Sequence, residues 1–168
     1  VSNDEAWVVN EVSDSVSIVS VSAHVVTDTL YVKDEPADVV FANGRAFVSC
    51  GRNNQIAVFG ATTHASLTNI AVFGENPRSM CVNSNGTRIY AAFALSGNRT
   101  TLIPATNAPN QSPPTNPNLP PAPKVGLIVD ATDLNWTNFV KFTMPDNDIV
   151  EIDTATLAIT RYFSRVGT

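Results

Sequence analysis

The chain has 168 residues, ten basic against fifteen acidic side chains for a net charge of −5, 43% hydrophobic residues, two cysteines and eleven prolines. A chain of this size buries roughly two-thirds of its unfolded surface and so forms a real core. No apolar run approaches the roughly 18–20 residues of a membrane helix, and the acidic balance argues against nucleic acid or an anionic membrane as partner. Two cysteines are too few for a disulfide scaffold, and a common His/Cys zinc site would need both cysteines and both histidines.

Val1 stands where a start methionine would, and Ser2-Asn3-Asp4-Glu5 is neither a charged n-region nor an apolar h-region, so the sequence reads as an excerpt or a mature piece. From there the apolar residues alternate with period two or run in short β-branched stretches. These are Trp7 to Val9, Val16 to Val21, Val39 to Phe41, Phe47-Val48, Ile56 to Phe59, Ile70 to Phe73, Ile89 to Phe93 and Ile149 to Ile152. Bounded by Gly, Asn, Asp and Pro, such stretches predict strands, and no window carries helical spacing. The expected class is all-β.

Self-comparison sharpens this. Ala6-Trp7-Val8-Val9-Asn10 lines up with Ala46-Phe47-Val48-Ser49-Cys50 and with Ile89-Tyr90-Ala91-Ala92-Phe93, at spacings of 40 and 43 residues. Pro36 and Pro77 each precede an apolar strand that closes in Asn43-Gly44 or Asn85-Gly86, and Asn-Gly is a strong hairpin signal because both residues tolerate positive φ. Each unit is four short strands in about 40–43 residues, the size of a β-propeller blade. Lettered outward, strand a follows the proline, b holds Trp7, Phe47 or Tyr90, c holds Ile18, Val58 or Ile152, and d holds Val26, Ile70 or Tyr162. Blade one (1–35) has b to d only, blade two (36–76) is complete, and blade three (77–168) is complete but interrupted by an insertion at 104–145. Propellers close with roughly four to eight blades. The expectation is therefore an open arc of about three antiparallel blades, whose terminal blades expose apolar faces that a ring would cover.

The quartets Trp7-Val8-Val9-Asn10, Phe47-Val48-Ser49-Cys50 and Tyr90-Ala91-Ala92-Phe93 resemble the Tyr-Val-Thr-Asn signature of YVTN-type propeller repeats. The frame around them is similar to the rest of that repeat, best at Asn85-Gly86 and Ile152-Asp153-Thr154-Ala155-Thr156. Cys50 and Phe93 replace the signature Asn. The resemblance covers nearly the whole chain outside 104–145, and the motif residues are structural: the aromatic packs between blades and the Asn-Gly makes a turn. It implies a bacterial or archaeal exported propeller, and also relatives that are lactonases or redox enzymes or that are fused to cytochrome c domains.

Between strands b and c of blade three some 50 residues are added. Eight of the eleven prolines lie within Pro104 to Pro123, a composition that favours polyproline II, and Val125 to Val129 is apolar enough to dock back. An insertion between b and c emerges on the face of the Glu35-Pro36 and Asn76-Pro77 loops. It reads as a lid or docking arm, or as a tolerated surface elaboration.

Candidate chemistry is sparse. Glu35, Asn76 and Arg78 are the candidate ligand-binding residues of the channel-mouth loops, with Arg78 able to meet an anion. From Asn76 to Val129 there are four basic residues and no acidic one, so that segment is +4 and the remainder −9. His24 and His64 follow the c strands of blades one and two and read as solvated turn residues. Asp130, Asp133, Asp146 and Asp148 have the oxygen donors calcium takes without the spacing of a known loop, and they read first as turn formers. Cys81, at the position of Val40, reads as a small buried hydrophobe, with a Cys50–Cys81 disulfide as the alternative. Four Asn-x-Ser/Thr sequons start at Asn85, Asn98, Asn110 and Asn135. No nucleophile motif or phosphate loop occurs, and neither catalytic residue nor cofactor is assigned.

The expected function is a non-catalytic propeller segment of a larger exported protein, extracellular, periplasmic or on the cell surface. It would bind a protein or glycan, or complete itself with blades of the same or another chain. The alternative is the propeller part of a lactonase-like or redox enzyme whose active-site residues lie mainly outside this segment. A third reading is a surface-layer or filament component that associates through open blade edges.

Overall fold

The computed structural model describes residues 4–141 and 145–166. Val1 and Gly167-Thr168 lie outside them. The chain divides into two compact units, Val1–Ser96 with Asp146–Thr168, and Gly97–Pro145.

The first unit holds three antiparallel sheets. Blade one is β1 (Glu5–Asn10), β2 (Ser15–Ser20) and β3 (Val25–Tyr31). Blade two is β4 (Pro36–Ala42), β5 (Arg45–Cys50), β6 (Gln55–Gly60) and β7 (Ser66–Ala71). Blade three begins with β8 (Glu75–Val82) and β9 (Arg88–Leu95). After β9 the chain leaves for the second unit, which contributes β10 (Thr100–Ile103) and β11 (Leu127–Asp130). It returns as β12 (Ile149–Asp153) and β13 (Ile159–Phe163), so blade three has the order β8-β9-β12-β13. These sheets are strands b to d of blade one and a to d of blades two and three, and the arc is open.

Alternation decides what each face does. In β5, Ala46, Val48 and Cys50 pack with Val16, Ile18 and Leu30 of blade one. Phe47, between them, packs with Ile56, Val58 and Ile70 of its own sheet against Met80, Ile89, Ala91, Val150 and Ile152 of blade three. A strand with both faces covered is largely apolar on both, and Ala46 to Cys50 is fully buried throughout, the Ser49 hydroxyl donating to Arg78 O. Asn43-Gly44 closes the β4–β5 hairpin with φ of 49° and 70°, the double positive φ that a two-residue primed turn requires.

The two end faces are less apolar than expected. On blade one the face away from blade two carries Asn10, whose amide donates to Ser17 Oγ (2.9 Å) and Ser15 Oγ (3.3 Å), beside exposed Val8 and Tyr31. On blade three the face away from blade two centres on Glu151. The register pairs Phe47 with Val58 in blade two and Tyr90 with Glu151 in blade three, so a carboxylate takes the place of a buried valine. Cys81 lies on that same face and is exposed, and Cys50 is buried; both thiols are free. The disulfide alternative and the reading of Cys81 as buried are thus corrected. Cys81 does occupy the register position of Val40, but Val40 packs toward blade three and Cys81 faces outward from it.

In the second unit β10 and β11 form an antiparallel hairpin, with Thr100 opposite Asp130 and Ile103 opposite Leu127. Of the apolar stretch Val125 to Val129, residues 127–129 therefore supply most of a strand to this hairpin. The unit opens at Gly97, ahead of the composition break at Pro104, because β10 belongs to it. Its stem is pinned by Gly97 N–H donating to Pro145 O at 3.0 Å.

Candidate functional site

The d–a and b–c connections of the three blades share one design. A side-chain oxygen at the residue preceding strand c accepts a backbone N–H from the d–a connection. Asp14 Oδ1 accepts from Glu35 (3.0 Å), Asn54 Oδ1 from Asn76 (2.8 Å) and Asp148 Oδ2 from Val166 (2.7 Å). The held connections carry residues in the left-handed region, Glu35 at φ 56°, Asn76 at 59° and Arg165 at 60°, which cost energy unless the surroundings fix them. Backbone bonds complete the clasp: Val32 N–H donates to Asp14 O, Val72 N–H to Asn54 O and Gly51 N–H to Glu35 O, each at 2.9 Å. A Cβ at Gly51 would meet the Asn76 amide oxygen, so a side chain there must displace that amide.

Glu35 lies in the β3–β4 connection and Asn76 and Arg78 lie in the first half of β8, and the contacts of all three are structural. The Glu35 carboxylate faces Arg52 at 3.5 Å, and Arg52 also meets Asp34 at 3.6 Å. The Arg78 guanidinium donates to Glu11 Oε1 at 2.7 Å, and its backbone carbonyl accepts from Ser49 Oγ at 2.6 Å. An anion at Arg78 would meet the Glu11 carboxylate beside it. Within these loops Glu11, Asp14, Asp34, Glu35 and Glu75 outnumber Lys33, Arg52 and Arg78, so the local field favours a neutral or cationic ligand.

The calcium candidates resolve the same way. Asp148 performs the turn duty that a neutral amide performs at Asn54, so the position needs an acceptor and no charge. Asp146 faces Arg165 at 3.8 Å. In the second unit Asp130 and Asp133 cap their own turns through Thr132 and Asn135. Among the described residues no group of three His, Cys, Asp or Glu side chains is placed to hold a metal.

His64 departs from the expected solvated turn residue. Its ring is mostly buried, with Nδ1 3.1 Å from Asp28 and Nε2 3.6 Å from Glu5, both of blade one, and it meets Trp7 edge-on at 5.5 Å. Arg45, at the register position of Glu5, likewise reaches the c–d turn of the next blade, donating to the Thr154 and Ala155 carbonyls. In blades one and two the first residue of strand b is therefore an inter-blade linker, a role the sequence repeat does not display because its side chain changes from Glu5 to Arg45.

A polar groove of about 400 Å³ opens on the hairpin side of blades two and three, lined by Asn43, Asn85, Thr87, Arg88, Asp153 and Thr154. The signal for it was the pair of in-phase Asn-Gly turns. Its groups largely bond one another: Arg88 pairs with Asp153, Asn43 donates to Thr154 O, and Thr154 Oγ1 donates to Gly86 O.

On the open face of blade three, Glu151 accepts from Thr160 Oγ1 (2.6 Å) and Arg161 (2.9 Å), with Arg88 at 3.7 Å. The Thr160 and Arg161 bonds hold its carboxyl well below the ordinary 4.5, at about 2. The same carboxylate, bonded to the Tyr90 phenol, raises that phenol above its usual range. Arg161 lies over the Phe163 ring at 4.6 Å, a cation–π contact.

No protein-family model matches the chain, and no curated protein does. Solved structures do. A chain of Kuenenia stuttgartiensis hydrazine synthase superposes with a TM-score of 0.62 at 14% identity over 97% of this chain and 33% of its own. Dihydro-heme d1 dehydrogenase NirN in complex with DHE gives 0.56 at 11% identity, covering 95% of this chain and 24% of its own. A protein of unknown function from Bacteroides caccae gives 0.51 at 11% identity over 95% of this chain and 45% of its own. The chain thus spans about a third or less of the first two. At these identities the likeness is one of fold, and the fold is an open β-propeller arc.

Proposed function

We infer that this chain is a non-catalytic segment of a larger exported β-propeller protein, built from YVTN-type repeats and serving as a binding platform for a protein or glycan outside the cytoplasm. The observation that carries the reading is the insertion of a separate compact unit, Gly97–Pro145, into a b–c connection of an otherwise regular blade. Long connections that depart from a rigid scaffold are where recognition concentrates. The clasped mouth loops add to this, because loops held by Asp14, Asn54 and Asp148 lose little conformational freedom on binding. Titrating the intact protein with surface glycans and co-exported proteins, by calorimetry with product analysis, tests the reading. A stoichiometric complex without chemical change is the expected result, and turnover of any bound compound overturns it.

A second reading is favoured by the two neighbours named as hydrazine synthase and dihydro-heme d1 dehydrogenase: this arc would be part of a redox enzyme whose cofactor residues lie in other blades. A visible absorbance spectrum and metal analysis of the intact protein discriminate. A coloured, metal-containing protein with activity replaces the platform reading by this one.

A further inference from the structure

We propose that the Gly97–Pro145 unit is a polyproline II ligand, docking through its Leu119-Pro120 and Ala122-Pro123 dipeptides into an aromatic-lined groove of a partner protein. The proposal rests on the binding-platform reading and names the partner's chemistry.

The β10–β11 hairpin does not close in a short turn. A turn follows β10, where Asn107 N–H and Ala108 N–H donate to Pro104 O, and beyond it residues 109–114 on the outward limb and 120–126 on the return limb belong to no strand. A turn joins them at the tip, where Leu119 N–H donates to Asn116 O (3.1 Å) and Asn118 N–H to Asn116 Oδ1 (3.0 Å). Proline has no N–H to give a ladder, so Pro109, Pro113 and Pro114 on one limb and Pro120, Pro121 and Pro123 on the other keep the limbs unpaired. From 109 to 125 every residue except Pro114 is exposed. Proline fixes its own φ at about −65° and biases the residue before it to the extended region, so Leu119 to Pro123 favours polyproline II before any partner arrives, which lowers the ordering cost that a flexible peptide bears.

Polyproline II has three residues per turn, so residues three apart share an edge. On the return limb Pro120 and Pro123 share one edge, and Pro121 and Lys124 share another. A groove of about 360 Å³ between the limbs is lined by Pro113, Pro114, Pro121, Ala122 and Lys124. The Pro121/Lys124 edge is thereby turned to the opposite limb, and the Pro120/Pro123 edge is left to solvent. Its two residue-proline dipeptides, one turn apart, are the form that aromatic-lined grooves receive, with each proline ring against an indole or phenol face. Lys124 is the sole ionisable side chain between Thr100 and Val129 and belongs to the other edge, so the presented edge is neutral. The partner groove is accordingly one of Trp and Tyr faces rather than of carboxylates.

The test uses the full chain, isotopically labelled, titrated separately with a purified WW domain and a purified SH3 domain as probes. Saturable amide shifts confined to Asn118, Leu119, Ala122 and Lys124 are expected with at least one probe. The double substitution Pro120→Ala/Pro123→Ala should weaken binding at least about tenfold. It should leave the melting temperature unchanged, because both side chains are exposed, and Pro113→Ala should bind as the parent does. Absence of shifts at millimolar probe, or equal affinity of the double variant, overturns the proposal. That failure would leave stoichiometric complexes through other surfaces, and hence the platform reading, standing. Turnover would remove the platform reading while leaving the probe titration to judge the arm.

Discussion

Glu151 stands at the residue position where the preceding blade buries Val58, and it tolerates an open sheet face because its oxygens are taken by Thr160, Arg161 and Tyr90. With its folded pKa near 2 and its ordinary value 4.5, the carboxylate favours the folded state at every pH above the ordinary value. That contribution is lost as pH falls through the window between the two. Melting temperature should therefore be level above about pH 5 and decline toward pH 2, and Glu151→Gln should remove part of the decline. A variant whose profile parallels the parent's down to pH 2 would show that the network does not hold the charge. The two cysteines give a second residue-scale expectation. Burial pushes the Cys50 thiol up and hides it, whereas Cys81 is exposed. Ellman's reagent should label one thiol per folded chain and two after denaturation, with Cys81→Ser abolishing the first. Absence of free thiol in both states would restore the disulfide.

At the scale of elements, what was readable and what was not divide along sequence distance. Strand positions followed from period-two alternation and from Asn43-Gly44, whose conformational demands act within four residues; at Asn85-Gly86 only Gly86 takes positive φ, inside a longer connection from Asn83 to Thr87. The clasp between Asp14 and Glu35, or between Asn54 and Asn76, spans a single blade, and its trace is an Asp or Asn before each c strand. Contacts between blades left no such trace. Arg45 reaches Thr154 across 109 positions and Ser49 reaches Arg78 across 29, and neither partner announces the other. Cys81 shows the same limit from the other side. Alternation assigned it correctly to the face of Val40, but whether that face is covered depends on a neighbouring sheet and not on strand periodicity. In the second unit composition marked the proline-rich limbs, yet β10 and β11 were too short, at four residues each, to separate from their surroundings.

For the molecule as a whole, the question is whether the open end of the arc stays open in solution, and the register supplies its own control. Phe47 and Tyr90 hold equivalent positions at the centre of strand b. Phe47 is fully buried between blades two and three. Tyr90 faces outward from blade three, tilted against Phe163 at 6.4 Å and bonded to Glu151. Truncating a buried phenylalanine removes its transfer energy and leaves a cavity, so Phe47→Ala should cost about 3–5 kcal/mol. Tyr90→Ala vacates a partly solvated site that water refills, and its cost should be about 1 kcal/mol. Urea unfolding of both variants at several protein concentrations measures the difference. A Tyr90→Ala cost as large as that of Phe47→Ala, and growing with concentration, would mean that another copy covers this face, because only a covered site leaves a cavity. A small, concentration-independent cost would mean that the Glu151 network finishes the sheet by itself. The second outcome is the expected one, since every charged group at the centre of that face already has its counter-charge within its own blade: Arg88 with Asp153, and Arg161 with Glu151. A second copy docking on this face would strip water from paired charges without offering them better partners.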